Sequence, residues 1–512
     1  MTSGHPLWPS SYACGYSVPM TDTVFPEVHD VLVAGGGSVG LSAAVFLARH
    51  GVRALVVERE SGPRAHPRAT GMGPRTMELL REVGLEQAVN EVAVDMTGAT
   101  LGKITVDTLA GADLATLAAD LPARTRAFDT MTYSPARLRG VCPQNRLDRV
   151  LLDAARERGA HVAYDTELLS VEQDADGVTA VVSGPGGPRT LRARYLIAAD
   201  GVRSKVRERL GIGVTGPGPL GPELHNVMFH ADLGHLTGEY GFALAEITTP
   251  EAPGMIMAID GKSEWVFHTA QEPHPDLVRT AIGDLGLELE IVSVLGWRAR
   301  GQVADRFSRG RVFLVGDAAH AVPPTGAFGL NTGVADAHNL AWKLARVLSG
   351  RSDPALLDTY TAERRPVAQL ALEQSLLRMR DLRMHFGHGP EAARLRAEAG
   401  AVNAPIVHVG YRYGGASAVE GLPSTEDVTL CLDGSPGSRL PHVWVGERSS
   451  LDLVGTDFSV FTGTPVDGDP GVPVHVIDGW PYGTVLVRPD GFVAWRGEEG
   501  LAEAVRTCTA GA

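Results

Sequence analysis

The sequence predicts a mixed α/β protein: a Rossmann-like nucleotide-binding unit, an antiparallel β-sheet inserted into it, and a small separate α/β unit at the C-terminal end. Three observations predict this. Residues 31–58 run from an apolar stretch through a Gly-rich turn and an amphipathic segment into a second apolar stretch, the order of strand, turn, helix and parallel strand. From about residue 220 to 300 the chain changes to short alternating runs broken by Gly, Pro and Asp. Near residue 403 the composition changes again, to strand-like runs joined by turns.

Composition bounds the rest. A chain of 512 residues is too long for one core and points to roughly three domains. With 44% hydrophobic and 21% charged residues it reads as an ordinary globular protein. A net charge of -14, from 46 basic and 60 acidic residues, argues against nucleic acid, whose phosphates need clustered Lys and Arg. Cys14, Cys142, Cys431 and Cys508 are widely spaced and lack zinc-site company, so they read as free thiols in a reducing compartment, with no metal. No Lys or Arg occurs before Arg49, and no apolar run is long enough for a membrane helix, so the expectation is a cytoplasmic protein without a membrane partner. Residues 1–29 carry no clear period and form an N-terminal extension.

In the first stretch Val31 to Ala34 forms the strand, and Gly35, Gly37 and Gly40 form the turn. Gly35 permits the tight bend, Gly37 lets backbone approach a pyrophosphate, and Gly40 lets the helix pack on the strand, so phosphate meets the free N–H groups of a helix start. Glu58 lies 18 residues beyond Gly40, near the spacing at which an acid takes a ribose hydroxyl pair. The site is built for a dinucleotide. The loop after it is too rich in Gly and Pro for regular structure, and Arg64, Arg68 and Arg75 are either anion clamps or solvated surface arginines. A helix follows over 75–83 with Gly84 as its stop.

Residues 144–159 form an amphipathic helix with apolar positions 147, 150, 151 and 154, stopped by Gly159. Strands at 161–164, 167–171 and 178–182, with 174–177 as a turn, make a small antiparallel ribbon. A buried strand at 195–199 then delivers Asp200 and Gly201 to a turn before a helix capped by Ser204; taken alone, this is a common crossover turn. The inserted sheet includes runs at 226–232, 254–260 and 264–270, with a helix near 275–286. Such a sheet suits a flat aromatic ligand, or is only a scaffold.

The third informative stretch ends a strand in Gly316-Asp317, passes a loop containing Pro323, Gly326 and Gly329, and enters a long helix near Leu330 and Asn331. The loop is rigid and aimed at a helix N-terminus, which favours an anion or an electron-rich ring. Asp317 can accept from hydroxyls, and His320 either joins proton chemistry or is simply hydrogen-bonded. Helices occupy 354–400, and strand-like runs at 440–444, 450–461, 474–478 and 484–496 precede a short helix at 498–507.

The three turns in this order, with the tail segments 440–444 and 488–496, resemble the single-component FAD-dependent aromatic hydroxylases, in the branch acting on aromatic polyketides, over roughly residues 28–500. The resemblance implies that Gly35, Gly37, Ser38, Val39, Gly40, Glu58 and Arg59 hold the ADP half of FAD. Arg68 and Gln144 would sit against the flavin and its phosphates, and Leu168 near the adenine. Asp200 and Gly201 would serve FAD and NADPH, while Gly316 and Asp317 would take the ribityl hydroxyls. Pro323, Gly326, Gly329, Leu330 and Asn331 would line the isoalloxazine ring, with Pro323 beside the chemistry, and Phe242, Met257 and Phe328 would line the substrate pocket. It also implies an FAD-binding domain over 30–205 and 296–402, a substrate domain over 206–295 with part of 90–140, and a thioredoxin-like domain over 403–512. The partner is a small aromatic polyketide, and the chain is a monomer or homodimer.

The implied reaction uses NADPH to reduce tightly bound FAD, which reacts with O2 to a C4a-hydroperoxide, and the protein supplies positioning, dryness and charge. A cation near the ring favours phenolate, and Arg412 is the candidate; the same residue could instead staple the terminal unit to the core. Some relatives carry a tyrosine on the substrate sheet where this chain has Phe242-Ala243-Leu244, which leaves room for Baeyer-Villiger or ring-opening oxygenation beside ring hydroxylation. A flavoprotein acting only as a reductase or binding module is the other class; the Trp-x-Trp-x-Ile signature of a halogenase is absent.

Overall fold

The computed structural model describes residues 28–95, 101–119, 132–387, 389–414 and 432–510. Most of the N-terminal extension, with Cys14 and Cys431, lies outside the described residues.

The nucleotide-binding turn begins where the sequence puts it. β1 (Val28–Ala34) leads into α1 (Ser38–Arg49) and β2 (Ala54–Val57), and β1 and β2 pair in parallel with Val31 opposite Ala54. Both strands are buried almost throughout, as the continuous Val/Leu runs of a sheet covered on both faces require. α2 (Pro74–Glu82) starts with proline at its first turn and stops before Gly84, whose φ of 74° suits a helix end. α3 (Glu86–Val92), β3 (Lys103–Val106) and α4 (Leu114–Ala119) follow. α5 (Gln144–Glu157) buries Leu147, Leu151 and Ala154 on one face and lies beside α1.

β4 (His161–Ala163) departs from the expected ribbon: it pairs in parallel with β2 and extends the central sheet, because a short apolar run after a crossover helix has a parallel edge to join. The ribbon consists instead of β5 (Glu167–Gln173), β6 (Val178–Gly184) and the first half of β7 (Gly187–Ala198), while the second half of β7 runs parallel to β1. Ser204 caps α6 (Lys205–Arg209) by accepting from the Arg207 N–H.

The second sheet contains β8 (Val214–His230), β9 (Leu244–Ile247), β10 (Gly254–Ala258), β11 (Glu264–Thr269) and β12 (Glu290–Ala304), with α7 (Gly234–Thr237) and α8 (Pro275–Ile282) between strands. β3 joins it in parallel beside β9. One face is dry: Val227, Phe229, Ile256, Trp265 and Phe267 pack with Leu277 and Ala281 of α8. The alternate residues, including Met228, Met257 and His268, point to the other face.

The chain returns through β13 (Ser308–Arg309) to β14 (Val312–Leu314), which lies parallel to β7, so the central sheet reads β13-β14-β7-β1-β2-β4. β15 (His320–Ala321) pairs with β12 as an edge strand of the second sheet. α9 (Phe328–Leu348) is buried over nearly all its length, and α10 (Thr359–Arg380), α11 (Arg383–Phe386) and α12 (Gly389–Ala399) follow. The terminal unit has a hairpin, β16 (Trp444–Val445) and β17 (Arg448–Ser449), then β18 (Ser459–Thr462), β19 (Val474–Val476), β20 (Val485–Val487), β21 (Val493–Arg496) and α13 (Leu501–Ala510). Residues 450–453, expected to begin a strand, form a 3-10 turn instead, because Ser449 and Asp452 satisfy each other's backbone as a capping box. Phe458, Val460 and Leu486 belong to the same apolar cluster as the central sheet. No described helix is long and apolar enough to cross a membrane.

Candidate functional site

Three turns from distant parts of the chain meet at the C-terminal ends of β1, β7 and β14, the edge where open parallel sheets bind ligands. The contacts are close enough to exclude a methyl group. A Cβ on Gly35, whose φ is 111°, would lie 2.3 Å from the Ala199 carbonyl oxygen, and one on Gly316 would lie 3.0 Å from the Val39 side chain. A Cβ on Gly333 of α9 would come within 2.8 Å of the same valine. Arg207, beyond the second turn, donates to the Ala318 carbonyl in the third at 2.9 Å. Gly37 alone in the first turn faces open space, with nothing within 4 Å of a Cβ placed there. That opening lies over the start of α1, whose first N–H groups have no intrahelical acceptor.

Around this opening stand polar groups that the protein does not fully satisfy. Glu58, at the end of β2, accepts from the Gly36 N–H at 2.7 Å and the Glu60 N–H at 3.0 Å. The Thr166 N–H donates to the Glu58 carbonyl, which places Leu168 two residues from that contact. Asp200 accepts from the Val206 N–H through one oxygen, while its other oxygen is buried without a partner. Burial raises its carboxyl above the ordinary value, partly offset by Ser204. Asp317, just beyond β14, is exposed, yet protein packed around it raises its carboxyl too, with His320 pulling the other way. Such acids are ready to accept from hydroxyls of a bound ligand. At the start of α1, Gln144 donates to Ser38 at 3.0 Å, and Ser38 donates to Asp148. Burial pushes Asp148 up to about 6, against the lowering effect of that hydrogen bond. Arg59 and Arg68 are exposed on the loop after β2.

The third turn is held from beneath. Asp336 of α9 accepts from the Gly316 N–H at 3.2 Å, from His320 at 2.7 Å and from Arg364 at 2.7 Å, all fully enclosed. Burial alone would raise the Asp336 carboxyl, but Arg364 and His320 outweigh it and hold it below the usual range. His320 is therefore a buried brace of the turn, the hydrogen-bonded alternative. Pro323 is buried, and its carbonyl accepts from Ser375 at 2.9 Å. Ala327 enters α9 with a φ of 55°, which gives the loop from Gly326 to Leu330 a sharp approach.

Several expected roles are corrected. Asn331 accepts from the Gly73 N–H and the Thr76 hydroxyl and donates to the Ala327 and Gly71 carbonyls, so its side chain ties the 71–76 segment to α9 instead of facing a ring. Phe328 is enclosed by Ala371 and Val407 beneath the Arg378 guanidinium, and Phe242 is enclosed on the α8 side of the sheet against Trp265; neither has surface left for a ligand. Met257 does lie on the open face, half-buried beside Met228. Arg412 pairs with Asp433 at 3.1 Å, an ion pair inside the 403–512 unit, so its guanidinium is already committed to a carboxylate. Arg75 is likewise committed, to Glu78 at 2.9 Å and the Asp490 carbonyl at 2.6 Å, and Arg64 to Glu60 at 3.1 Å. Asp148, Asp336, Arg364 and Arg207 were not singled out by sequence reasoning, since no local spacing marks them.

A Gly-rich strand-to-helix turn, an acid at the end of the second strand and two further acids facing the same opening define a dinucleotide-binding protein of mixed α/β build. The chain belongs to the family described as FAD binding domain, whose model matches residues 28–375. Among curated relatives it is 39% identical to the tetracenomycin B2 monooxygenase-dioxygenase of Streptomyces olivaceus, covering 91% of this chain and 95% of the relative. It is 36% identical to the aklavinone 12-hydroxylase RdmE of Streptomyces purpurascens, covering 93% and 97%. Among solved structures, a ternary complex of aklavinone-11 hydroxylase with FAD and aklavinone matches with a TM-score of 0.78 at 33% identity, over 94% of this chain and 99% of that one. The protein is an FAD-dependent monooxygenase, with FAD and O2 as cofactor and co-substrate.

Proposed function

We propose that this protein is an NADPH- and O2-dependent monooxygenase that inserts one oxygen atom into a polycyclic aromatic polyketide, by ring hydroxylation. The observation that carries this reading is that the open, half-buried face of the second sheet meets the loop that is also tied to the flavin turn. His66 on that loop bonds Ser293 of β12 at 2.7 Å, while Gly71 and Gly73 farther along it are held by Asn331. A methionine-lined face beside a flavin site suits a flat, uncharged ring system. The names of the relatives, which act on tetracenomycin B2 and aklavinone, support the substrate class.

FAD, when bound, supplies electrons taken from NADPH and the activated oxygen. The residues present fit it: the N–H groups from Gly37 to Val39 would take the pyrophosphate, Glu58 a ribose, Asp200 and Asp317 hydroxyls, and the amides of Gly329 and Leu330 the polar edge of the ring. For the terminal unit, a four-stranded sheet of order β19-β18-β20-β21 with one parallel pair and a terminal helix supports a thioredoxin-like arrangement in a structural role.

The test is direct. Purified protein should be yellow, should oxidise NADPH faster when a hydroxyanthraquinone is added, and should place one atom of labelled O2 in the product, with NMR showing a new phenol. A lactone in place of the phenol would replace hydroxylation by Baeyer-Villiger oxygenation. A colourless protein that takes up no FAD would end the proposal.

A further inference from the structure

The open face of the second sheet carries two imidazoles that the reading above leaves unused. β11 places His268 opposite Asn226 on β8 and opposite Met255 on β10, all on the face away from α8. Nδ1 of His268 lies 2.5 Å from Oδ1 of Asn226. An amide oxygen only accepts, so Nδ1 carries the hydrogen and Nε2 is left as a bare acceptor. The ring stands edge-on to Trp297 on β12, 6.3 Å between centroids, which fixes its plane. Facing the same space, His66 is 5% exposed and bonds Ser293 through Nδ1, while its Nε2 is buried with no partner. The Trp297 indole N–H is likewise buried and unpartnered.

Unsatisfied buried polar atoms are rare in folded proteins, and two beside one half-buried apolar face, His66 Nε2 and the Trp297 indole N–H, mark where a ligand makes its hydrogen bonds. Burial lowers both imidazoles to about 4, His268 further disfavoured as a cation by His66, so near neutral pH the two rings are uncharged. Neutral imidazoles beside methionine suit an uncharged phenol, whose hydroxyl can donate to a bare ring nitrogen, and offer little to a carboxylate.

We propose that His268, oriented by Asn226, accepts the hydrogen bond of a phenolic hydroxyl on the aromatic substrate, with His66 closing the same polar end of the chamber. This rests on the aromatic-polyketide reading above. It assigns His268 as a specificity residue, placing the phenol-bearing ring on the sheet side of the chamber.

The experiment compares a dihydroxyanthraquinone with its dimethyl ether, titrated into the FAD-loaded enzyme and followed by the flavin absorbance change. Wild type should bind the free phenol about tenfold more tightly than the ether, the size of one hydrogen bond to a buried acceptor. His268→Phe keeps the ring and its packing on Trp297 but has no acceptor; it should weaken the phenol alone and bring the two probes within about twofold. Its FAD content and its NADPH-dependent flavin reduction without substrate should not change. Asn226→Ala, which frees the tautomer, should lose part of the preference. A His268→Phe enzyme that keeps the preference, or that loses both probes equally, overturns the assignment. If that variant fails to retain FAD, an Asn226→Ala enzyme with full preference overturns it instead. A yellow wild-type enzyme that binds neither probe overturns the aromatic-substrate reading itself, and the assignment with it.

Discussion

Gly37 and Gly40 stand three positions apart in one turn, yet a methyl group would act on them differently. At Gly37 the backbone is extended, with φ of -80° and ψ of -178°, and a Cβ meets nothing, so alanine fits the protein and intrudes only on the ligand. Gly37→Ala should leave thermal stability of the FAD-free protein unchanged and weaken FAD about tenfold or more, measured by fluorescence titration. At Gly40 a Cβ would sit 1.9 Å from the Gly35 carbonyl oxygen, so helix and turn must part. Gly40→Ala should lower the unfolding free energy of the FAD-free protein by about 1–3 kcal/mol, measured in urea, whatever it does to FAD. This division was legible in the sequence, because the roles of a Gly-rich turn follow from local spacing. Aromatic side chains were less legible. Phe242 and Phe328 were expected at the pocket from the resemblance, but which way a ring points depends on register and on what packs behind it, and both turned inward.

At the level of elements, α1 and α5 show why a helix start can be found in sequence while its supports cannot. The turn before α1 announces itself, but the acid beneath it, Asp148, reaches Ser38 across 110 residues. Its effect on stability has a definite sign. Because burial raises the carboxyl to about 6 in the folded protein, its stabilising contribution is present at low pH and is lost as pH rises through that value, leaving a buried charge above it. Asp148→Asn, which holds no charge, should therefore be more stable than wild type by about 2–3 kcal/mol near pH 8, with the advantage falling to about half near pH 5, measured by urea unfolding at both values. An advantage that grows on acidification would refute the assignment. α9 shows the same limit of legibility: its apolar stripe predicted the helix, but nothing in the stripe announced that Asp336 would hold the Gly316 N–H, His320 and Arg364 together.

Across the whole molecule, the terminal unit is joined to the core by buried charge. Arg488 pairs with Glu363 of α10 at 2.7 Å and with Asp490 at 2.5 Å, and Lys343 of α9 reaches the same glutamate at 2.8 Å. Asn339 bridges Glu363 and Asp490, and burial lowers Lys343 to about 8 despite its carboxylate partner. Tyr413 stacks on Phe492 at 4.2 Å and meets Arg364, which carries the network back to Asp336 beneath the flavin turn. Removing one partner strands the others in a dry interface, so Arg488→Ala should cost about 3–5 kcal/mol, and the loss should appear as one cooperative transition of the entire chain in calorimetry. The sequence showed a change of composition near residue 403 and suggested a separate unit; it could not show that Phe458 and Val460 enter the core of the first sheet.

The order of strands in the central sheet has a consequence for synthesis. β14 carries the Gly316–Asp317 turn and docks beside β7, whereas the first two turns emerge from the ribosome before the inserted sheet is made. A growing chain therefore holds an incomplete cradle throughout translation of that sheet, and flavin capture must wait for β14 and α9. Strands β8 to β12 of the chamber wall are thus made before the turn that completes the flavin cradle.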